Sequence, residues 1–221
     1  MTNLELSVRF EQRLQNHINK NLDIRTVDIE FYLNEGYRRF IEYWYSLYES
    51  DEAARKRLSP LVVNVTRERT DPTVPTTTNA HPNGEFWYLP TDCRYVLLED
   101  ATVDLDDCHG DPTTNRAYVK PVKLEYYNLH INNPYKKPYK DLVWRLDIGS
   151  RIHELIIGDD STQVKQYHIT YIKNPANITL LTGTPQSTLM EISAEYHEEI
   201  IEKALEVAIP TLQLINSSQN K

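Results

Sequence analysis

The apolar residues of this 221-residue chain change their period twice. Up to about residue 58 they recur at helical spacing. Beyond Pro60 they alternate, with Leu61, Val63 and Val65 on one side and Val62, Asn64 and Thr66 on the other. From Ser193 the helical spacing returns. A chain patterned in this way buries its two ends as helices and its middle as sheet. The expected class is therefore α+β: a helical bundle from the N- and C-terminal helices with an inserted antiparallel β-sandwich-like block. The boundaries read as 1–58 and 193–209 for the helical core, 59–192 for the β-rich insertion with a long loop at 67–85, and 210–221 for a flexible tail.

The helical ends divide further. Residues 4–20 read as a first helix with Leu4, Val8, Leu14 and Ile18 on its apolar face. Thr26 is placed to cap a second helix, with Asp28 and Glu30 in its positive first turn. Leu33, Tyr37, Phe40, Ile41, Trp44 and Tyr48 form its stripe, read as helix core over subunit interface. Ser193 is placed to cap the closing helix, whose face is Tyr196, Ile200, Ala204, Leu205 and Ala208; Pro210 is expected to kink or end it. Between them, strands are expected near 61–66, 86–88, 95–98, 101–105, 118–122, 144–146, 154–157 and 166–172, with a short helix at 123–132 bearing Leu124, Tyr127 and Ile131. Residues 67–85 hold three prolines and five threonines and read as a long loop or arm.

Composition enters mainly by exclusion. The six glycines, at 36, 84, 110, 149, 158 and 183, are too scattered for any phosphate-cradling loop. Two cysteines cannot make a disulfide framework. No apolar run approaches about 18 residues, so no spanning helix and no membrane partner is expected. The N-terminal segment is amphipathic and charged, without a secretory apolar core, which points to synthesis in a reducing cytoplasm. The formal charge of −8 lacks the basic footprint of a sequence-specific DNA binder. Basic clusters at Arg67/Arg69, Lys120/Lys123 and Lys136/Lys137/Lys140 lie near tyrosines and could touch phosphate, but read as scattered surface charge.

Catalytic and metal-binding patterns are absent from the sequence. There is no G-x-S-x-G, no H-x-x-x-H and no C-x-x-C. Cys93, between Asp92 and Arg94, reads as a small, partly buried residue rather than a nucleophile. Asp104 to Asn115 fails as a calcium loop, because His109 stands where glycine is required and Asn115 where the closing glutamate belongs. Glu195, Glu198, Glu199 and Glu202 share one helix without the E-x-x-H of a di-metal bundle, so they read as a solvated or intersubunit face. No cofactor and no metal are expected, and the chain reads as a non-enzyme.

Three segments occur in a suggestive order: Asp28-Ile29-Glu30-Phe31-Tyr32-Leu33-Asn34-Glu35-Gly36-Tyr37-Arg38-Arg39-Phe40, then Tyr88-Leu89-Pro90-Thr91-Asp92-Cys93-Arg94-Tyr95, then Tyr171-Ile172-Lys173-Asn174-Pro175-Ala176-Asn177-Ile178 leading to Tyr196-His197-Glu198-Glu199-Ile200-Ile201. Together they resemble the head–tail connector (adaptor, or ring) proteins of short-tailed bacteriophages, tail tubular protein A-like, with the flavour of crAss-like phage ring proteins. The resemblance spans roughly residues 26–209. It implies a structural virion protein of the phage neck, made in the host cytoplasm. It implies a homo-oligomeric ring of about twelve subunits under the capsid portal, through which viral DNA passes without specific binding. Its partners would be further copies of itself, the portal protein, and other neck or tail proteins. On that reading Pro210, Thr211, Leu212, Leu214 and Ile215 in the tail, and Thr73, Val74 and Thr76 in the arm, are candidate portal or subunit contacts. Glu195, Glu198, Glu199 and Glu202 are candidate lumen acids. The alternatives are a virion carbohydrate- or receptor-binding protein and a small hydrolase with a site outside known motifs.

Overall fold

The computed structural model describes residues 2–18, 24–69, 81–106, 112–149, 151–158, 162–180 and 191–219. The chain forms two compact units, Met1–Leu61 with Pro175–Lys221, and Val62–Asn174. The α+β class holds, with the helical pattern of the two ends gathered in the first unit and the alternating middle in the second.

The helical unit contains α1 (Asn3–Ile18), α2 (Thr26–Ser46), α3 (Glu52–Leu58) and α5 (His197–Gln219). Both α1 and α2 pack on α5. Helix α2 buries Ile29, Tyr32, Leu33, Gly36, Tyr37, Phe40 and Ile41, close to the expected stripe, with Trp44 half-buried at its end. Helix α1 departs from expectation. Leu4 and Val8 are exposed, and the buried face is Asn3, Leu6, Ser7, Phe10 and Leu14. Phe10 and Leu14 set this rotation, and Ser7 is tolerated inside because its hydroxyl donates to the Leu4 carbonyl at 2.9 Å. Thr26 does not cap α2: Arg25 occupies the cap position without a side-chain cap bond, and its guanidinium instead pairs with Asp28 at 2.9 Å. Likewise Ser193 precedes a single 3-10 turn, Ala194–Tyr196, and makes no cap bond of its own. Helix α3 was not anticipated. Its signal is Asp51, whose carboxylate accepts from the Ala53 amide at 2.8 Å, followed by buried Ala54 and Leu58.

Pro210 does not end α5, which continues to Gln219. Proline removes one amide donor and crowds the carbonyl four residues back. Here Pro210 and Glu206 both face outward, so that carbonyl has access to water.

The second unit contains β1 (Val62–Glu68), β2 (Gly84–Tyr88), β3 (Cys93–Asp106), β4 (Pro112–Pro121), α4 (Leu124–His130), β5 (Leu142–Gly149), β6 (Ile152–Ile156) and β7 (Thr162–Lys173). The strands do not make an all-antiparallel pair of layers. They form one curled mixed sheet in the order β1-β7-β3-β4-β5-β6-β2, with β4 and β5 parallel. The two runs expected at 95–98 and 101–105 are one 14-residue strand. Irregularities at Cys93/Tyr95, Val96/Leu98 and Thr102/Val103 let it stay paired with β7 while the sheet bends. Most of the expected loop 67–85 lies outside the described residues, and so do residues 107–111.

Period-two alternation assigns the two faces of this sheet. Trp87, Ala101, Val103, Ala117, Val119, Val143, Leu155, Val164, Tyr167, Ile169 and Tyr171 share one core, against which Val63 and Val65 of β1 also pack. Strands β1 and β2 are the two ends of the strand order, so the curl brings both edges to one core. Arg69 pairs with Glu85 across them at 3.2 Å. The alternate residues Trp144, Leu146 and Ile156 form a second cluster under Tyr127 of α4.

Candidate assembly interface

The motif residues of the helical unit each make a specific contact. The Asn34 side-chain oxygen accepts from the Ile178 amide at 2.8 Å, and its nitrogen donates to the Ile178 carbonyl at 2.9 Å and to the Glu30 carbonyl at 2.8 Å. One side chain thus substitutes for a strand neighbour and pins the extended segment after Pro175 onto α2. The Glu30 carboxylate accepts from the Leu180 amide, and the Asn3 amide group donates to the Thr179 carbonyl at 3.4 Å. Two residues further on, a Cβ at Gly36 would lie 2.6–2.7 Å from the Ala204 backbone and Cβ, so glycine sets how closely α2 and α5 approach. His197, only 2% exposed, donates from Nε2 to the Ile192 carbonyl at 3.0 Å; burial lowers its pKa and keeps it neutral. Gly36 thus joins α2 to the closing helix, while Asn34, Glu30 and His197 fix the segments that precede it.

The four candidate acids, Glu195 in the 3-10 turn and Glu198, Glu199 and Glu202 on α5, have different surroundings. Glu198 forms ion pairs with Arg9 and, at 2.5 Å, with Arg13, which reaches Glu202 at 3.5 Å. Glu199 accepts from Arg57 at 3.1 Å and from the Trp44 indole at 3.2 Å. The Arg57 guanidinium also lies 4.0 Å from the Trp44 ring centroid and 4.8 Å from that of Tyr196. Glu195 is exposed. Three of the four acids are thus matched by arginines of α1 and α3. Such half-exposed pairs contribute about 0–1 kcal/mol each to stability. Pro210 and Thr211 are exposed on α5 and Leu212 is half-buried. Leu214 and Ile215 belong to the same helix, with side chains outside the described residues, as are Thr73, Val74 and Thr76 altogether.

The β unit encloses a polar network that sequence reading missed. Glu99, Arg145, His153 and Tyr167 come from four strands, each at an inward position. Tyr167 donates to Glu99, Arg145 pairs with the other Glu99 oxygen, and His153 Nδ1 lies 3.1 Å from Glu99 and 2.8 Å from the Tyr167 hydroxyl. Burial pushes against the Glu99 charge, but the His153 and Tyr167 hydrogen bonds and the Arg145 charge outweigh it. Its carboxyl is held below the ordinary value. The clue was available: Glu99 shares its strand parity with Ala101 and Val103. On the opposite face, fully buried Glu154 accepts from the His81 amide at 2.5 Å and pairs with its ring at 2.8 Å, fixing the chain where it enters β2.

Reactive chemistry has little support here. Burial, with Asp92 and Glu99 nearby, pushes the Cys93 thiol up to about 11, so it is protonated at neutral pH. Among the described residues no group of three or more His, Cys, Asp or Glu could hold a metal ion. A cavity of about 220 Å³ beside Glu68, Arg69, Asp104 and Gln163 is smaller than most small-molecule sites, which run from about 300 Å³ upward. Among the described residues, no helix is long and apolar enough to cross a membrane.

Large apolar side chains are instead displayed outward. Leu4 and Val8 lie one turn apart on α1, and Val27 and Phe31 one turn apart on α2. Leu124, Leu129, Tyr135 and Tyr139 project from α4 and the segment after it. Exposed apolar surface of this kind marks protein contacts when it is contiguous. The family model described as phage tail ring protein 3/4 matches residues 26–220. The chain is 27% identical over 226 residues to Ring protein 3 of Bacteroides phage crAss001, covering 95% of each chain. It is 26% identical over 134 residues to Ring protein 4/5 of the same phage, covering 54% of this chain and 52% of that one. With the match running from the start of α2 through the whole of α5, this chain belongs to the phage tail ring protein 3/4 family of crAss-like phages.

Proposed function

We propose that this structural phage ring protein forms a homo-oligomeric ring of about twelve subunits in the neck, joining the capsid portal to the tail and leaving a passage for DNA. Family membership across residues 26–220 carries this reading. The motif residues agree with it. Asn34 fastens the segment after Pro175 to α2, Gly36 sets the approach of α2 to α5, and His197 bonds to the turn before its own helix, so each has a structural task. A closed cyclic ring needs two different contact surfaces on each subunit. Exposed apolar residues on both units supply candidates. Thr73, Val74 and Thr76 in the arm, and the last turns of α5 from Pro210 to Ile215, are further proposed contacts with the portal or a neighbouring subunit. The lumen wall is proposed to be acidic or mixed. Glu195, Glu198, Glu199 and Glu202 are its candidates, with Arg9, Arg13 and Arg57 tempering their charge.

Native mass spectrometry and negative-stain imaging, with and without purified portal, test the proposal. The expected result is a closed ring that co-sediments with the portal. A chain that stays monomeric at high concentration and ignores the portal would overturn it.

A further inference from the structure

The parallel pairing of β4 and β5 obliges the chain to cross over between them, and that crossover carries an unusual surface. From Lys120 near the end of β4 to Asp141 just before β5 there are five lysines against two acids, Glu125 and Asp141, in a chain whose total charge is −8. The segment is about +3, and everything outside it is correspondingly about −11. Two basic clusters that looked scattered in sequence are brought into one connection. The arginines of the protein are mostly spoken for: Arg9, Arg13, Arg57, Arg116 and Arg145 all have carboxylate partners. No carboxylate pairs with the crossover lysines among the described residues. Lys120 sits over the Tyr126 ring at 4.9 Å, and Lys137 donates to the Gly158 carbonyl at 3.4 Å. Lys123, Lys136 and Lys140 are exposed.

Apolar groups stand among these charges. Tyr135 is 95% exposed, Leu129 75%, and Leu124 53%. Tyr118 and Tyr139 flank the same residue, Leu142, through strand register and an isolated bridge. Leucine side chains add nothing to phosphate recognition, whereas an apolar centre with a charged rim is the anatomy of a protein contact. The rest of the chain offers the complementary charge.

Resting on the ring reading above, we propose that the β4–β5 crossover is one of the two subunit contacts, seated on an acidic face of a second copy of this chain. Leu129 and Tyr135 provide the buried centre, and Lys136, Lys137 and Lys140 provide the rim that steers and orients the approach.

The test compares wild type, a triple charge reversal (Lys136→Glu, Lys137→Glu, Lys140→Glu) and a double truncation (Leu129→Ser, Tyr135→Ser), by native mass spectrometry and sedimentation across a salt series. All changed side chains are exposed, and thermal melting checks that each variant folds. Both variants are expected to associate at least tenfold more weakly, and added salt is expected to weaken wild type more than the charge reversal. A photo-crosslinking residue in place of Tyr135 is expected to give dimers and ladders of this chain. Variants that form rings like wild type overturn the crossover contact and leave the ring reading intact. A wild type that never associates overturns both. Duplex DNA binding by wild type that vanishes in the charge reversal, with ring formation unchanged, assigns the surface to nucleic acid and also overturns the proposal.

Discussion

Asn34 makes three hydrogen bonds, two of which tie the segment after Pro175 to α2. Its amide satisfies both backbone groups of Ile178 and a carbonyl of its own helix, and aspartate lacks the donor needed for two of these three bonds. Asn34→Ala is expected to destabilise the protein by about 2–3 kcal/mol, from three lost bonds and a poorly solvated amide, with Asn34→Asp nearly as costly. Chemical denaturation checks this; a loss below about 0.5 kcal/mol would show that the segment after Pro175 is held by other means. His197 sets a pH dependence. Its folded pKa lies below the ordinary 6.5 because it is buried. Between those two values the unfolded chain binds the extra proton, so stability is full above pH 6.5 and declines as the pH falls below it. Glu99 acts in the same sense at lower pH, since its folded pKa is depressed below 4.5. Melting temperature is therefore expected to fall below pH 6.5, with a shallower slope in His197→Gln; an unchanged slope would assign the effect elsewhere.

At the scale of the elements, the α2–α5 contact is set by the smallest side chains. Ala has about 1 kcal/mol better helix propensity than Gly, so Gly36→Ala would stabilise an isolated helix. In the bundle the added methyl meets Ala204 backbone at 2.6 Å, and overpacking of that kind costs about 1–3 kcal/mol. The clash is expected to win: Gly36→Ala lowers stability, read by denaturant midpoint, and a stabilised variant would mean the helices can part without loss. Pro210 has the opposite character. It interrupts α5 at an exposed position, so Pro210→Ala restores an amide donor to a helix that already continues to Gln219. Slower amide exchange across residues 211–219 is the expected result, and unchanged exchange would show that the proline costs the helix nothing.

For the whole molecule, the proposed ring would multiply the charge of −8 by its copy number. A conduit must let DNA slide. A basic wall would instead hold phosphate with the steep salt dependence of counterion release. An acidic or mixed wall repels only at close range, within a Debye length of about 8 Å at physiological salt. The purified protein is therefore expected to show no measurable affinity for duplex DNA at physiological salt. Binding measured across a salt series checks this. Tight association falling steeply with the logarithm of salt would mean a DNA-gripping surface and would end the passive-conduit reading.

How much of this was legible in the residues divides along the range of the interactions. The period of apolar residues is local, so the α+β class, the core of α2 and the positions of most strands follow from the chain read in order. The motifs at 28–40 and 171–201 pointed to the right family. Other features depended on distant partners. Which face of α1 is buried is settled by what α2 and α5 present to it, with Phe10 stacked on Tyr32 of α2, and that turned Leu4 and Val8 outward. Whether strands make two layers or one curled sheet depends on register irregularities in β3 and on which strand β5 joins, and alternation is the same in both arrangements. The ion partners of Glu198 and Glu199 lie more than 140 positions away, on α1 and α3. A charged residue at an inward parity, such as Glu99, is a visible anomaly in the sequence. Only folding shows that Arg145, His153 and Tyr167 arrive to satisfy it, because long-range pairing is fixed by tertiary packing and leaves no local trace.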